Sequence, residues 1–361
     1  MTLHLVYEKS WVPSTRIRLV QLVPALAARG WPARVVPRPR DAAARRGFAS
    51  ELAPGDAVLV HRIRPGRREA RWWRSLPVPR LYDFDDAIMF GKRRGPSGWL
   101  TRIRRGAGFR RMLGCCQGVA CGNRFLSEQC AGFAGPVRVV PSAVDADVPQ
   151  AGPRTPGPLR VGWVGRSSNL HYLEAIAPAL AAASRQRPTV LVIVSDASPR
   201  LPGVEVEFVP WSLEGEARAV AGFHVGIMPL ALDGPWSRGK CAYKLLQTMA
   251  AGVPAIGSDV GMNAELIEHD RNGLLARSPA DWERLLVELA DDPERGARLG
   301  RAGRETVLAA YTVDAVADRL VALLEEVAGG ASPSSSGSVR STAAATPNAS
   351  ARPRNESAGG G

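Results

Sequence analysis

Cysteine is scarce in this chain and does not fall in pairs. The five residues Cys115, Cys116, Cys121, Cys130 and Cys241 are odd in number and lack CxxC spacing. That excludes a disulfide frame and a zinc ribbon, and reads as small buried hydrophobes in a reducing cytoplasm. Histidine is equally rare, with five residues, so no structural metal is expected. No stretch approaches the ~20 uninterrupted apolar residues that span a bilayer. The opening MTLHLVYEKSW has no basic segment followed by an apolar one, so a secretion signal is not expected. The GxGxxG fingerprint is missing as well: VGWVGRSSN has the wrong spacing for a dinucleotide site, which disfavours a nicotinamide enzyme.

What is present is a chain of 361 residues, 45% hydrophobic, too long for one ordinary core. The net charge of +13 is unevenly spread. Residues 1–150 hold 26 Lys/Arg against 11 Asp/Glu, whereas residues 151–361 hold 21 against 23. The densest basic segment, GKRRGPSGWLTRIRRGAGFRRM (91–112), carries eight cations, no acid, and Trp99, Leu100, Ile103 and Phe109 between them. Three readings fit: a nucleic-acid surface, an amphipathic segment resting on anionic lipid, or a solvated basic helix. No recognised nucleic-acid motif accompanies the cations, so nucleic acid ranks last. Residues 329–361 are Gly/Ser/Ala/Pro-rich and cannot offset their ordering entropy, so they read as a disordered tail.

Between these ends, short apolar runs alternate with helical pattern. LHLVY, ARVVP, DAVLVHR, VPRLYDF, CCQGVACGN and VRVVPSAVD predict strands in the first half, with a helix over RIRLVQLVPALAARG and another after CCQGVACGN. The joint PQAGPRTPGP (149–158) separates them from LRVGWVG, PTVLVIVSD, VEVEFVPW, HVGIMPL, PAIGS and NGLLAR. This is the rhythm of parallel sheets covered on both faces, hence an α/β chain with two doubly wound, Rossmann-like domains at 1–150 and 151–311 around a central cleft. A last helix over 312–328 has one apolar stripe.

Ligands in such sheets sit at the carboxyl ends of strands, against helix amino termini. Gly165 follows a strand there, Ser167, Ser168 and Asn169 offer helix caps, and Arg166 adds a cation. An anion site and a plain strand-to-helix turn both fit. In RGKCAYKLLQTMAAGVPAIGS (238–258), one helix from about Ser237 to Ala251 would place Lys240 and Lys244 on one face of its first turns. No acid occurs between Gly234 and Gly257, and cations there oppose the helix dipole. A bound diphosphate would turn that conflict into stabilisation; lysines extended into water are the alternative.

These segments, with FVPW, VGIMPL, DVGMNAELIEHDRNGLLA and the helix TVDAVADRLVALLEEV, resemble in order and spacing the donor half of GT-B glycosyltransferases of family 4 (glycosyl transferases group 1). STRIRLVQLVPALAARGW, LYDFDDAIMF, GNRFL and VVPSAVD resemble that family's looser acceptor half. The resemblance implies transfer of a sugar from a nucleotide-diphosphate sugar to a hydroxyl of a glycan, lipid-linked or small-molecule acceptor, with retained configuration and without a metal. It implies that Arg166 and Lys244, with Lys240 or Arg238, neutralise the departing diphosphate. Trp211 would flank the base, and Asn263 and Glu265 would face the sugar or ribose. The family's two acidic residues, eight apart, align with Gly239 and Gln247, so both are missing; Gln247 keeps an amide for hydroxyl contacts. On the first-half wall, Asp85 or Asp86 of DFDD would orient or deprotonate the acceptor, helix capping being the competing role. Arg16, Arg18 and His61 are acceptor-side candidates. The last helix would cross back to brace the first domain. A catalytically silent nucleotide-sugar or carbohydrate-binding protein of the same fold is the rival reading, and 91–112 a possible peripheral contact with the inner face of a membrane.

Overall fold

Twelve short runs, most rich in β-branched and aliphatic residues, become strands in two six-stranded sheets. The computed structural model describes residues 1–10, 12–90 and 96–329. Residues 91–95 of the basic segment, and the Gly/Ser-rich tail from residue 330, lie outside the described residues. The first sheet holds β1 (Leu3–Tyr7), β2 (Ala33–Pro37), β3 (Ala57–His61), β4 (Arg80–Phe84), β5 (Gly118–Cys121) and β6 (Val137–Val139) in the order β2-β1-β3-β4-β5-β6. The second holds β7 (Leu159–Val164), β8 (Thr189–Ser195), β9 (Val206–Pro210), β10 (Val225–Met228), β11 (Ala255–Ser258) and β12 (Leu274–Ala276) in the order β12-β11-β10-β7-β8-β9. Every pairing is parallel. The two doubly wound sheets that the alternation predicts are therefore found.

Both sheets reverse direction near their middle. The chain winds outward from β1 and returns at β3, and winds outward from β7 and returns at β10. Connections leave such a point on opposite sides and open a crevice beyond the strand ends. This topology fixes where a ligand is to be sought.

Two helices differ from the sequence expectation. The single helix over RIRLVQLVPALAARG is three pieces, Pro13–Arg18, a 3-10 turn Val20–Leu22 and Val23–Ala28. Pro24 explains the break, because it has no N–H for the carbonyl of Val20 and its ring crowds that oxygen. The single helix from Ser237 to Ala251 is two, Pro235–Arg238 and Tyr243–Ala250, joined through Ala242 at φ 49°.

The helix Val313–Gly329 buries Val316, Leu320, Leu323, Leu324 and Val327 against Leu3, Leu19, Leu22, Leu26 and Leu81 of the first lobe. Each such leucine contributes on the order of 2 kcal/mol by leaving water. A second cluster joins the lobes directly: Leu245, Met249 and Cys241 pack into the same core as Phe84, Cys121 and Phe125. All five cysteines are free and buried.

Candidate active site

The carboxyl ends of β7 and β10 meet at the reversal of the second sheet, and a pocket opens there. Trp163, Asn169, Tyr172, Met228, Lys240 and Lys244 line it, and its free volume is about 30 Å³. That is room for little more than one water. Lys244 stands in the first turn of helix Tyr243–Ala250, with its Nζ 5.3 Å from the centre of the Trp163 ring. Among the described residues no carboxylate lies within ion-pair distance of it. Burial, with the neighbouring Lys240 ammonium adding to it, pulls its pKa down to about 8. Lys240 shows the opposite result: burial works against its charge, but the Asp86 carboxylate 2.9 Å away outweighs it and raises the pKa. One lysine is thus satisfied by the first lobe, and the other is charged, desolvated and unpaired.

Backbone at two glycines makes this arrangement possible. A Cβ on Gly165 would lie 2.7 Å from the Trp163 ring and 2.8 Å from Cε of Lys244, so only glycine lets the lysine pass. A Cβ on Gly239 would lie 2.6 Å from the Cβ of Ala87 in the first lobe. The aligned acidic side chain is therefore absent where the lobes touch. Lys240 and Lys244 do not share a helix face, as the sequence suggested. They converge because the chain turns between them: Asn123 of the first lobe donates through Nδ2 to the carbonyls of Arg238 and Lys240, both at 3.0 Å.

The first-lobe wall follows β4. Asp85 and Asp86 lie just beyond it, and Arg62 bridges them at 3.1 and 3.0 Å. Arg62 holds a left-handed φ of 59°, an uncommon conformation for a non-glycine residue and one that clusters at functional sites. It also donates to Ser14 Oγ at 2.8 Å, and the Cys241 thiol of the second lobe donates to the Asp85 carbonyl at 3.0 Å. Asp83, the first acid of DFDD, is inside the strand and separate from this pair. It accepts from Arg18, and from His61 Nδ1 at 2.6 Å, its neighbour in the β3–β4 register. Burial alone would push its pKa up, but Arg18 and His61 hold it below the usual range. Arg18 and His61 are 3% and 1% exposed, so these two acceptor-side candidates form an internal ion-pair network and do not face the cleft.

The remaining candidates divide. Asn169 reaches the pocket, while Arg166 and Ser168 are exposed on the turn beside it and Arg166 makes no ion pair among the described residues. Ser167 is already engaged: its N–H and hydroxyl both donate to Asp196, at 2.6 and 3.0 Å. Trp211 is half exposed and donates through Nε1 to Glu216 at 2.9 Å; Glu216 also accepts from Arg16 at 3.3 Å, linking the lobes. Arg238 turns away from the pocket, its guanidinium 4.3 Å from the Phe125 ring centre and 3.7 Å from Glu128. Gln247 is half-buried one turn beyond Lys244 and does not line the pocket. Asn263 is fully buried; its Nδ2 donates to the Met228 carbonyl at 3.4 Å, and its Oδ1 has no partner. Glu265 accepts from the backbone N–H of Arg124 in the first lobe, although burial raises its pKa on balance. Arg62, Asn123, Asp196 and Glu216 were not singled out in the sequence, because each gains its role from a partner distant in the chain.

Residues 158–292 match the family model of glycosyl transferases group 1. The second lobe is similar to that group. The group 1 match encloses the pocket, Lys240 and Lys244. A GDP-mannose-dependent α-(1-6)-phosphatidylinositol monomannoside mannosyltransferase of Mycobacterium tuberculosis is 36% identical over 81 residues, which is 22% of this chain and 21% of that relative. The aligned part thus spans about a fifth of the curated relative's length. Sucrose-phosphate synthase from Thermosynechococcus elongatus superposes with a TM-score of 0.69 at 16% identity, covering 92% of this chain and 100% of the other. Anabaena HepE in complex with UDP-glucose superposes with a TM-score of 0.65 at 12% identity, covering 90% and 99%. At these identities the likeness is one of fold. The two lobes have the GT-B fold.

Proposed function

We propose that this protein is a retaining, metal-independent glycosyltransferase, acting in the cytoplasm on a nucleoside-diphosphate sugar and a hydroxyl acceptor of glycan, lipid-linked or small-molecule type. The observation that carries the reading is the unpaired, desolvated Lys244 ammonium beside Lys240 at the strand reversal of a group 1 lobe. A pyrophosphate arriving there gives Lys244 the counter-charge that the protein withholds, and fixed cations in a dry site stabilise the charge that develops on the leaving group. Arg62 occupies Asp85 and Asp86, so this pair is not left free to gather a divalent ion. Asp86 already reaches across to Lys240. On the first-lobe wall it is placed to orient the acceptor hydroxyl once the diphosphate takes over that lysine. Retention of configuration rests on the resemblance of the second lobe alone.

The mycobacterial relative uses GDP-mannose and HepE is held with UDP-glucose, so guanosine and uridine diphosphate sugars are the donors to test first. Purified protein is incubated with each, with a panel of acceptors, and with excess chelator. Release of nucleoside diphosphate that depends on an acceptor, persists in chelator and yields a product of unchanged anomeric configuration by NMR supports the reading. Loss of activity in chelator removes metal independence. Tight nucleoside-diphosphate binding with no turnover on any acceptor overturns the enzyme assignment in favour of a silent binding protein.

A further inference from the structure

The helices Arg67–Arg74 and Pro96–Leu113 of the first lobe carry nine arginines, four on one and five on the other. None of them makes an ion pair among the described residues. The one acid on either helix, Glu69, is buried and pairs inward with Arg38. Several arginines elsewhere do pair: Arg160, Arg187, Arg284 and Arg295 each meet a carboxylate. Arg67, Arg71, Arg74 and Arg111 line a groove between the two helices, with a free volume of about 360 Å³. Two are fixed in place, Arg74 Nε donating to the Gly114 carbonyl and Arg111 Nε to the Pro65 carbonyl, each at 3.0 Å. Neither of these bonds places a carboxylate on the guanidinium.

The helix Pro96–Leu113 adds a second observation. At 100° per residue, Trp99, Ile103 and Arg110 share one stripe and Leu100, Arg104 and Arg111 the next, both on the side turned from the buried Phe109 and Met112. Trp99, Leu100 and Ile103 are 64%, 52% and 46% exposed. An arc of large apolar side chains followed by cations has no advantage in water. It matches the boundary of an anionic bilayer, where the apolar group enters the acyl edge and guanidinium groups meet phosphates.

We propose that this face is a docking surface for an anionic phospholipid bilayer, with Trp99, Leu100 and Ile103 inserted and the arginine groove taking lipid phosphate. The contact is peripheral, since among the described residues no helix is long and apolar enough to cross a membrane. It is independent of the transfer reaction.

The test is co-sedimentation of the full chain with phosphatidylcholine vesicles, with and without phosphatidylglycerol, at 0.1 M and 1 M salt. Binding is expected only to the phosphatidylglycerol vesicles at 0.1 M salt. Arg67→Gln with Arg71→Gln should weaken it about 5-fold per arginine. Trp99→Ser with Leu100→Ser and Ile103→Ser should weaken it at least about 10-fold. Both variants should keep the parent Tm and nucleoside-diphosphate affinity, which separates docking from folding and from the donor site. Millimolar glycerol phosphate should not compete, because a free headgroup lacks the apolar anchor. Equal binding to pure phosphatidylcholine, no binding at all, full binding by the serine variant, or tighter binding to an oligonucleotide than to vesicles would each overturn the proposal.

Discussion

Lys244 bears a cost that the rest of the protein does not relieve. Its pKa falls from 10.5 to about 8 on folding, so between those values the unfolded chain holds the extra proton more often. Stability contributed by this residue therefore rises with pH from about 8 to 10.5, and the full penalty applies at neutral pH. Lys244→Met should raise the Tm at pH 7, by roughly 1–3 kcal/mol in stability, and the gain should vanish above pH 10.5. The same variant should weaken nucleoside-diphosphate binding by about 30-fold or more, because an interaction between opposite charges is lost. For the parent protein, calorimetry should show affinity falling above pH 8, by at most about 10-fold per unit if one proton is involved. A destabilised variant, or affinity flat to pH 10, would mean that Lys244 serves the fold. The lysine itself was legible in the sequence as a cation in an acid-free stretch. Asp196 and Arg62 were not, since nothing near Ser167 or Asp85 in the chain announces the partner that the fold delivers.

At the level of elements, periodicity found the strands and left the breaks in helices unread. Pro24 lies inside a stretch that the pattern runs through as one helix. The interruption at Gly239–Ala242 was not legible, because the groups it meets there, Ala87 and Asn123, are far away in the sequence. Backbone at Ala87 lies 2.9 Å from where a Cβ on Gly239 would stand, and backbone cannot step aside as a long side chain does. Gly239→Ala should cost about 1–3 kcal/mol and lower the Tm. Gly152→Ala, in the joint between the lobes with open space around it and an ordinary φ, should change little and serves as the control. If both variants melt alike, the close approach carries no energetic weight.

Across the whole molecule, the pocket is nearly shut: 30 Å³ does not admit a diphosphate, and the bridges from Asp86 to Lys240 and from Asn123 to the 238–240 turn hold the lobes together. On the function proposed above, a diphosphate at Lys244 requires these contacts to part, which a hinge motion between the lobes would supply. The other tie is the helix Val313–Gly329, whose apolar stripe, though not its seat, could be read from the sequence. A chain ending at Thr312 should show early melting of the first lobe and bind a hydrophobic dye; a melt like that of the full chain would show the helix to be dispensable.

The leucines that receive this helix lie between positions 3 and 81, while the side chains that cover them arrive only after position 313. During synthesis the earliest part of the protein must wait for one of the latest, with a greasy trough open while more than two hundred residues leave the ribosome. Half-made chains of this protein should therefore expose the kind of apolar surface that invites aggregation, and what is translated first is finished last.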